Sequence, residues 1–168
     1  NQNIYPQEPK QLERREKLIK GDVPQEAIYL AFQMVDRKHE LYYAFDLLSD
    51  VLSGTDSSRF INILVKEKAI FTHVHAYISG EIDKGLFIVE GKITEGVSYE
   101  AAEEAIFEII EDIAKNGLSE SELQKVKNKA ITSNLFAKTS VLNKAMSLCY
   151  AYRLGNPDLI NSETELMK

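Results

Sequence analysis

Residues 71–93 leave this chain little choice about its centre. FTHVHAYIS alternates, GEIDKG is a polar turn, and LFIVEGKI runs back as a second apolar stretch. Two such runs joined by a short polar loop read as a β-hairpin, its loop longer than the tight two-residue type. The period of two puts Thr72, Val74, Ala76 and Ile78 on one face and Phe71, His73, His75 and Tyr77 on the other. Gly91, inside the return strand, marks a bulge or a close backbone approach.

The rest of the chain reads as packing around that hairpin. Residues 1–12, with Pro6 and Pro9, are an extended linker, and 13–168 form one domain. ERREKLIKG, 13–21, reads as a charged edge strand, since charge is how edges avoid unwanted pairing. AIYLAFQMV, 27–35, is a strand with Ile28, Leu30, Phe32 and Met34 on one face. Residues 39–54 are a helix with Leu41, Ala44, Phe45, Leu48, Val51 and Leu52 inward and Gly54 as its stop. A second helix starts near Asp56 or Ser57, either of which can cap free N–H groups. Ser98 caps a long helix ending at Asn116–Gly117. Ser119 and Glu122 form a capping box for the next. A further helix spans about 140–154, with Leu142, Ala145, Met146, Cys149 and Tyr150, and Gly155–Asn156–Pro157 breaks it. Strands interrupted by a helix pair and followed by helices predict an α+β fold, a mostly antiparallel sheet covered by helices.

Bulk properties exclude several functions. At 168 residues the chain is the size of one domain. A net charge of −6 lacks the positive field that a phosphate backbone demands, so nucleic acid is not an expected partner. No apolar run reaches the ~18 residues of a membrane span. The single cysteine, Cys149, has no internal partner and reads as a small buried hydrophobe. The chain opens Asn-Gln-Asn and ends inside a helical pattern, so it reads as a piece of a longer polypeptide, and its compartment is not legible.

Candidate chemistry is sparse. His73 and His75 share a strand face and could chelate a metal, but Glu67, Glu81 and Asp83 have no diagnostic spacing for a third ligand. The competing reading is a polar, aromatic strand face facing helices or a cleft. His39–Glu40 opens a helix, yet Tyr43 stands where a zinc hydrolase would place its second histidine. Ser57 and Ser58 lack a Gly-x-Ser-x-Gly elbow and read as caps. Glu103, Glu104, Glu108, Glu111 and Asp112 are the solvated side of an amphipathic helix. No glycine-rich phosphate loop is present.

The run SSRFINILVKEKAIFTHVHAYISGEIDKGLFIVEGKI, 57–93, resembles the pitrilysin family of inverted zinc peptidases, which includes insulin-degrading enzyme and the mitochondrial processing peptidase. Members carry Ser-Ser-Arg-Leu, a Leu-x-Arg-Glu-Lys-Gly-Leu-Ala-Tyr-Ser-like run, then the hairpin. ERREKLIKGDVPQEAIYLAF resembles the family's entry strands and LSESELQKVKNKAITSNLF its helix beginning Thr/Ser-x-x-Glu-Leu. The likeness covers roughly residues 5–155.

That resemblance implies a processing-peptidase-like metallohydrolase fold built from two α+β halves. One half carries His-x-x-Glu-His and zinc; this chain, with no such motif, is similar to the other, C-terminal half. The implied partner is a zinc-binding half of the same polypeptide or a partner subunit, and the implied ligand is a peptide. The resemblance also implies an Arg and a Tyr near the scissile bond, and the aligned positions hold Lys66 and Thr72. Lys66 keeps the charge without the planar fork, and Thr72 keeps a hydroxyl on a shorter arm. Two functions are thereby expected: the substrate-enclosing half of a zinc endopeptidase, or an inactive structural or assembly module of the same fold.

Overall fold

A computed structural model of the chain describes residues 9, 11–80 and 82–166. Apart from positions 9, 11 and 12, the expected linker lies outside the described residues, as does Glu81 in the hairpin turn. The elements run β1 (Ala27–Gln33), α1 (Tyr42–Ser53), a wide-wound helix (Phe60–Glu67), β2 (Phe71–Ser79), β3 (Leu86–Ile93), α2 (Tyr99–Asn116), α3 (Glu120–Ala137), α4 (Val141–Arg153) and α5 (Leu159–Leu166). The sheet is antiparallel, in the order β1-β3-β2, so the return strand of the hairpin is central. Helices cover one face. The core joins Ile28, Val74, Ala76, Phe87 and Val89 of the sheet to Leu52, Phe60, Leu64, Ala102 and Ile106. The α+β class read from the sequence is the observed one.

The hairpin departs from its simple pattern at one point. Register shifts between Phe71 and His73, opposite Ile93 and Lys92, so Thr72 is an extra residue in β2. Such a bulge turns the strand's side-chain order over on one side of it. Phe71 therefore leaves the histidine face expected for it and is buried with Val74, while Thr72 is exposed. Gly91 makes this possible. A Cβ at Gly91 would fall 2.6 Å from two atoms of the Phe71 ring, closer than any carbon pair tolerates.

Local chemistry explains most helix ends. Ser98 accepts from Ala101 N–H, Ser140 accepts from Asn143 N–H, and Ser119 with Glu122 makes the reciprocal capping box. The wide-wound helix does not follow the expectation of a cap at Asp56 or Ser57. It has no side-chain cap. Ser58 is buried instead, accepting from Thr55 N–H at 2.9 Å and donating to Asp50 O at 3.0 Å. The helix closes with Lys68 N–H on Ile63 O, five residues back, the bond of a π-turn. Ala69 then takes φ 50°, a left-handed conformation costly for any residue with a Cβ. The resembling family run has glycine at that place.

Other expectations are corrected. Residues 13–21 form no strand and remain exposed. Arg14 is held instead on α2, with two bonds to Glu103 at 2.8 and 2.9 Å. In α1 the inward face is rotated: Tyr42, Tyr43 and Ser49 are buried with Val51 and Leu52, while Leu41 and Ala44 are exposed. In α4 the apolar pattern faces out. Only Ala151 of that helix is buried, and Cys149 is exposed. The helix rests on its Ser147–Ala151–Leu154 side, so Leu142, Met146 and Cys149 point away.

Arg59 ties the helical layer together. Its guanidinium donates to both carboxylate oxygens of Glu122 at 2.8 and 3.0 Å and to Asp112 at 2.8 Å. It thereby pins the wide-wound helix to the start of α3 and the end of α2. The bonds from Arg59 and then Ser119 hold the Glu122 carboxyl down at about 2.

Three outcomes follow. Gly91→Ala is expected to destabilise the chain by about 1–3 kcal/mol in urea unfolding, with Phe71→Leu in the same chain restoring part of the loss. Ala69→Gly is expected to stabilise it by about 1 kcal/mol; a loss instead would show that the left-handed turn is not populated. Because the Glu122 carboxyl is depressed, its contribution is complete above pH ~4.5 and disappears as pH falls toward about 2. Glu122→Gln should flatten that limb of an acid-unfolding curve; an unchanged limb would remove Arg59 as the anchor.

Candidate functional site: the open face of the sheet

The face of the sheet away from the helices carries the polar and aromatic side chains. From β1 it receives Ala27, Tyr29, Ala31 and Gln33, all exposed; from β3, Ile88, Glu90 and Lys92; from β2, His73, His75 and Tyr77. The register sets His75 and Tyr29 on either side of Glu90, and His73 beside Lys92. Along β2 the rings stack: His73 to His75 at 6.4 Å and 26°, His75 to Tyr77 at 5.5 Å and 23°. Neighbours two apart on a strand are about 7 Å from each other, a distance that near-parallel rings bridge. Tyr77 donates to Glu90 at 3.5 Å. Desolvation first, and then the Glu90 carboxylate, raise the Tyr77 hydroxyl above its ordinary value. The face is thus a stacked ladder beside an acid and a lysine, open to solvent.

His73, His75 and Tyr77 lie on this face, without Phe71, which the period of two had placed beside them. As metal ligands they supply two nitrogens, one fewer than the three protein ligands of a catalytic zinc centre. Among the described residues, no three His, Cys, Asp or Glu side chains come together to hold a metal ion. The described residues of this chain do not fit a zinc centre.

Lys66 and Thr72 are placed apart in function. Lys66 is exposed on the wide-wound helix, and its ammonium donates to Asp56 O and, at 3.4 Å, to Asn62 Oδ1. Thr72 sits at the bulge on the rim of the open face. Its hydroxyl accepts from Gln25 Nε2 at 2.7 Å and donates to Lys92 O at 3.4 Å. The two side chains share no hydrogen-bond partner among the described residues.

A second lysine cluster was not visible in the sequence. Lys129 donates to Asp50 Oδ1 at 2.7 Å and Gly54 O at 2.6 Å, and Lys125 donates to Thr55 and Ser57. With Lys66 they clasp the turn 54–58 that carries the Ser-Ser-Arg motif. Ser57 is therefore an acceptor for a lysine rather than a helix cap. Lysines at 125 and 129, one helical turn apart, are the only local signal, and nothing local says what they reach.

Comparison with known proteins places this architecture. Over 130 residues the chain is 27% identical to the uncharacterized zinc protease YmxG of Bacillus subtilis, covering 77% of this chain and 32% of that one. Its fold is similar to a protease of Helicobacter pylori, with TM-score 0.81 and 20% identity over 88% of this chain and 36% of that one. It is also similar to a peptidase M16 inactive domain from Pseudomonas fluorescens, with TM-score 0.71 and 18% identity over 83% of this chain and 33% of that one. The chain thus spans about a third of the length of each. No helix is long and apolar enough to cross a membrane among the described residues. Residues 1–130 match the model of the peptidase M16 inactive domain, and the chain belongs to that family.

Proposed function

We propose that this chain is the substrate-enclosing half of a zinc metalloendopeptidase, and that the open face of its sheet is the wall turned toward the peptide. One observation carries the reading: helices cover a single face of the sheet, and the opposite face presents stacked rings, an acid, a lysine and hydroxyls to solvent. Zinc, when bound in the assembly, supplies an activated water and polarises the peptide carbonyl. It belongs to another half, on the same polypeptide or a partner subunit.

This chain's own residues bind and orient. Tyr29, His75 and Tyr77 offer ring faces to a peptide's side chains, and Glu90 and Lys92 offer it charges. Thr72, at the rim, presents a hydroxyl where the resembling peptidases use Tyr. Lys66, where they use Arg, stands on the wide-wound helix of the covering layer with its ammonium on Asp56 O, and reaches a peptide only by leaving it. The stacked histidines hold the ladder's shape, and the Phe71 bulge sets which residues of β2 reach it.

Lys66→Ala in the assembled enzyme is expected to lower kcat on the order of 100-fold, the scale of losing one donor to a developing oxyanion, with zinc content unchanged. Equal rates for variant and parent would remove Lys66 from the residues that contact the peptide. Zinc counted on the isolated chain after dialysis is expected to stay below about a tenth of an equivalent, since no three ligands come together among the described residues. One equivalent lost on His73→Ala/His75→Ala would place a metal site on this face and overturn the division of labour. An assembly that cleaves no peptide at all would favour the structural-module reading.

A further inference from the structure

α5 is tied on rather than packed in. It has no buried residue. It follows a break at Gly155–Asn156–Pro157, where Gly155 takes φ 86°, a left-handed turn that glycine enters freely. A cavity of about 240 Å³ lies between it and α4, with Arg37, Tyr150, Leu159 and Glu163 in its lining. Polar bonds hold the helix down. Glu163 Oε1 accepts from the Tyr43 hydroxyl at 3.0 Å and from Arg37 Nη2 at 3.4 Å, and Oε2 accepts from Asn134 Nδ2 at 3.1 Å. Burial, and then the Glu163 carboxylate, push the Tyr43 hydroxyl well above its ordinary value, so it stays a donor. Lys138 Nζ donates to Ile160 O at 2.7 Å. An element with so little buried apolar surface is the kind that opens locally.

Arg37 carries that attachment inward. Its guanidinium lies 5.1 Å from the ring centroid of Tyr42 on α1 and 5.9 Å from that of Tyr150 on α4. Nη1 donates to the Tyr42 hydroxyl at 3.2 Å. Nε is buried and has no hydrogen-bond partner among the described residues. The position of the guanidinium therefore depends on its bonds to Tyr42 and Glu163.

Tyr42 in turn ends on the hairpin. Its ring is buried, and Gly80, the first residue after β2, passes against its hydroxyl end. A Cβ at Gly80 would overlap the Tyr42 hydroxyl and the ring carbons next to it. Three residues before Arg37, Met34 N–H donates to Gly85 O at 3.0 Å, at the other end of the same turn. The turn between β2 and β3 is thus gripped at both ends by the segment 34–42, and that segment is gripped by α5. The stacked ladder of the open face ends at Tyr77, two residues before β2 runs into this turn.

We propose that α5 is a regulatory catch on the hairpin turn. Seated, its Glu163 fixes Arg37, Arg37 fixes the Tyr42 hydroxyl, and that hydroxyl fixes Gly80. Lifted, it frees the turn and with it the Tyr77 end of the ladder. The two states of α5 are coupled to two states of the turn, and the coupling is reciprocal. A surface or ligand that prefers one state of α5 thereby biases the open face from the helical side. The bearing of the catch on peptide rests on the reading of that face as the enclosing wall; the relay itself does not.

The test is amide exchange in the 168-residue chain, followed by NMR. Glu163→Ala is expected to speed exchange through α5 and, by about fivefold or more, at Met34, Ser79 and Leu86 around the turn. Leu30 and Val89, paired in the middle of the sheet, should keep the parent's rates. Tyr42→Phe keeps the buried ring and cuts the relay. It should speed the same three amides, and adding Glu163→Ala to it should change those three no further. If Glu163→Ala loosens α5 and leaves the three amides unchanged, the catch is overturned. Effects of the two substitutions that simply add overturn it too, as does equal speeding at Leu30 and Val89, the mark of a general loss of stability. An α5 that exchanges no faster without Glu163 overturns it as well, since that residue is then not what seats the helix. Failure here leaves the enclosing role standing, because exchange is read on the chain alone and the Lys66 measurement reads turnover in the assembly.

Discussion

The ring of Phe71 over Gly91 is the contact on which the rest of this molecule hangs. It exists because β2 carries one residue more than its partner at Thr72. That extra residue sends Phe71 inward, against Ile93 and the helices. It leaves Thr72 and His73 exposed together at the rim of the open face. Fixing one aromatic ring thus decides both where the core begins and where the candidate site begins.

The helical layer answers to a second set of long-range bonds. Arg59 reaches Glu122 and Asp112, and Lys125 and Lys129 reach back to the turn before it. These are charge-assisted bonds between elements more than 50 residues apart in sequence. Their joint effect is to hold the 54–60 segment, which lacks a helix cap of its own, in one geometry. Exposed ion pairs of this kind contribute little singly. A bidentate arginine with both carboxylate oxygens engaged fixes orientation even where it adds little energy.

What could be read from the sequence was what is decided locally. Ser98 and the Ser119–Glu122 box were legible because a cap needs only its own next three residues. The hairpin was legible because alternation and a polar turn lie in one window. Phe71 was assigned to the wrong face because a period of two assumes that no residue is extra, and the glycine that permits the bulge stands on the other strand. The strand expected at 13–21 was read from charge pattern alone; pairing is a property of two segments, and Arg14 finds α2 instead. Of the candidate site, the histidine pair was legible as a strand face, but its stacking with Tyr77 and its position beside Glu90 required the register. The lysine clasp and Arg59 were invisible for the same reason: their partners are set by the fold.

The outward-facing apolar side of α4 has a consequence of a different kind. Val141, Leu142, Met146, Leu148 and Tyr152 stand at least half exposed or nearly so on one helix. Contiguous apolar surface of this sort is what chaperones and quality-control proteases bind in unfinished proteins, and what drives clumping when a chain is made in excess. A chain that displays this helix uncovered is therefore open to that capture even when every other element is folded.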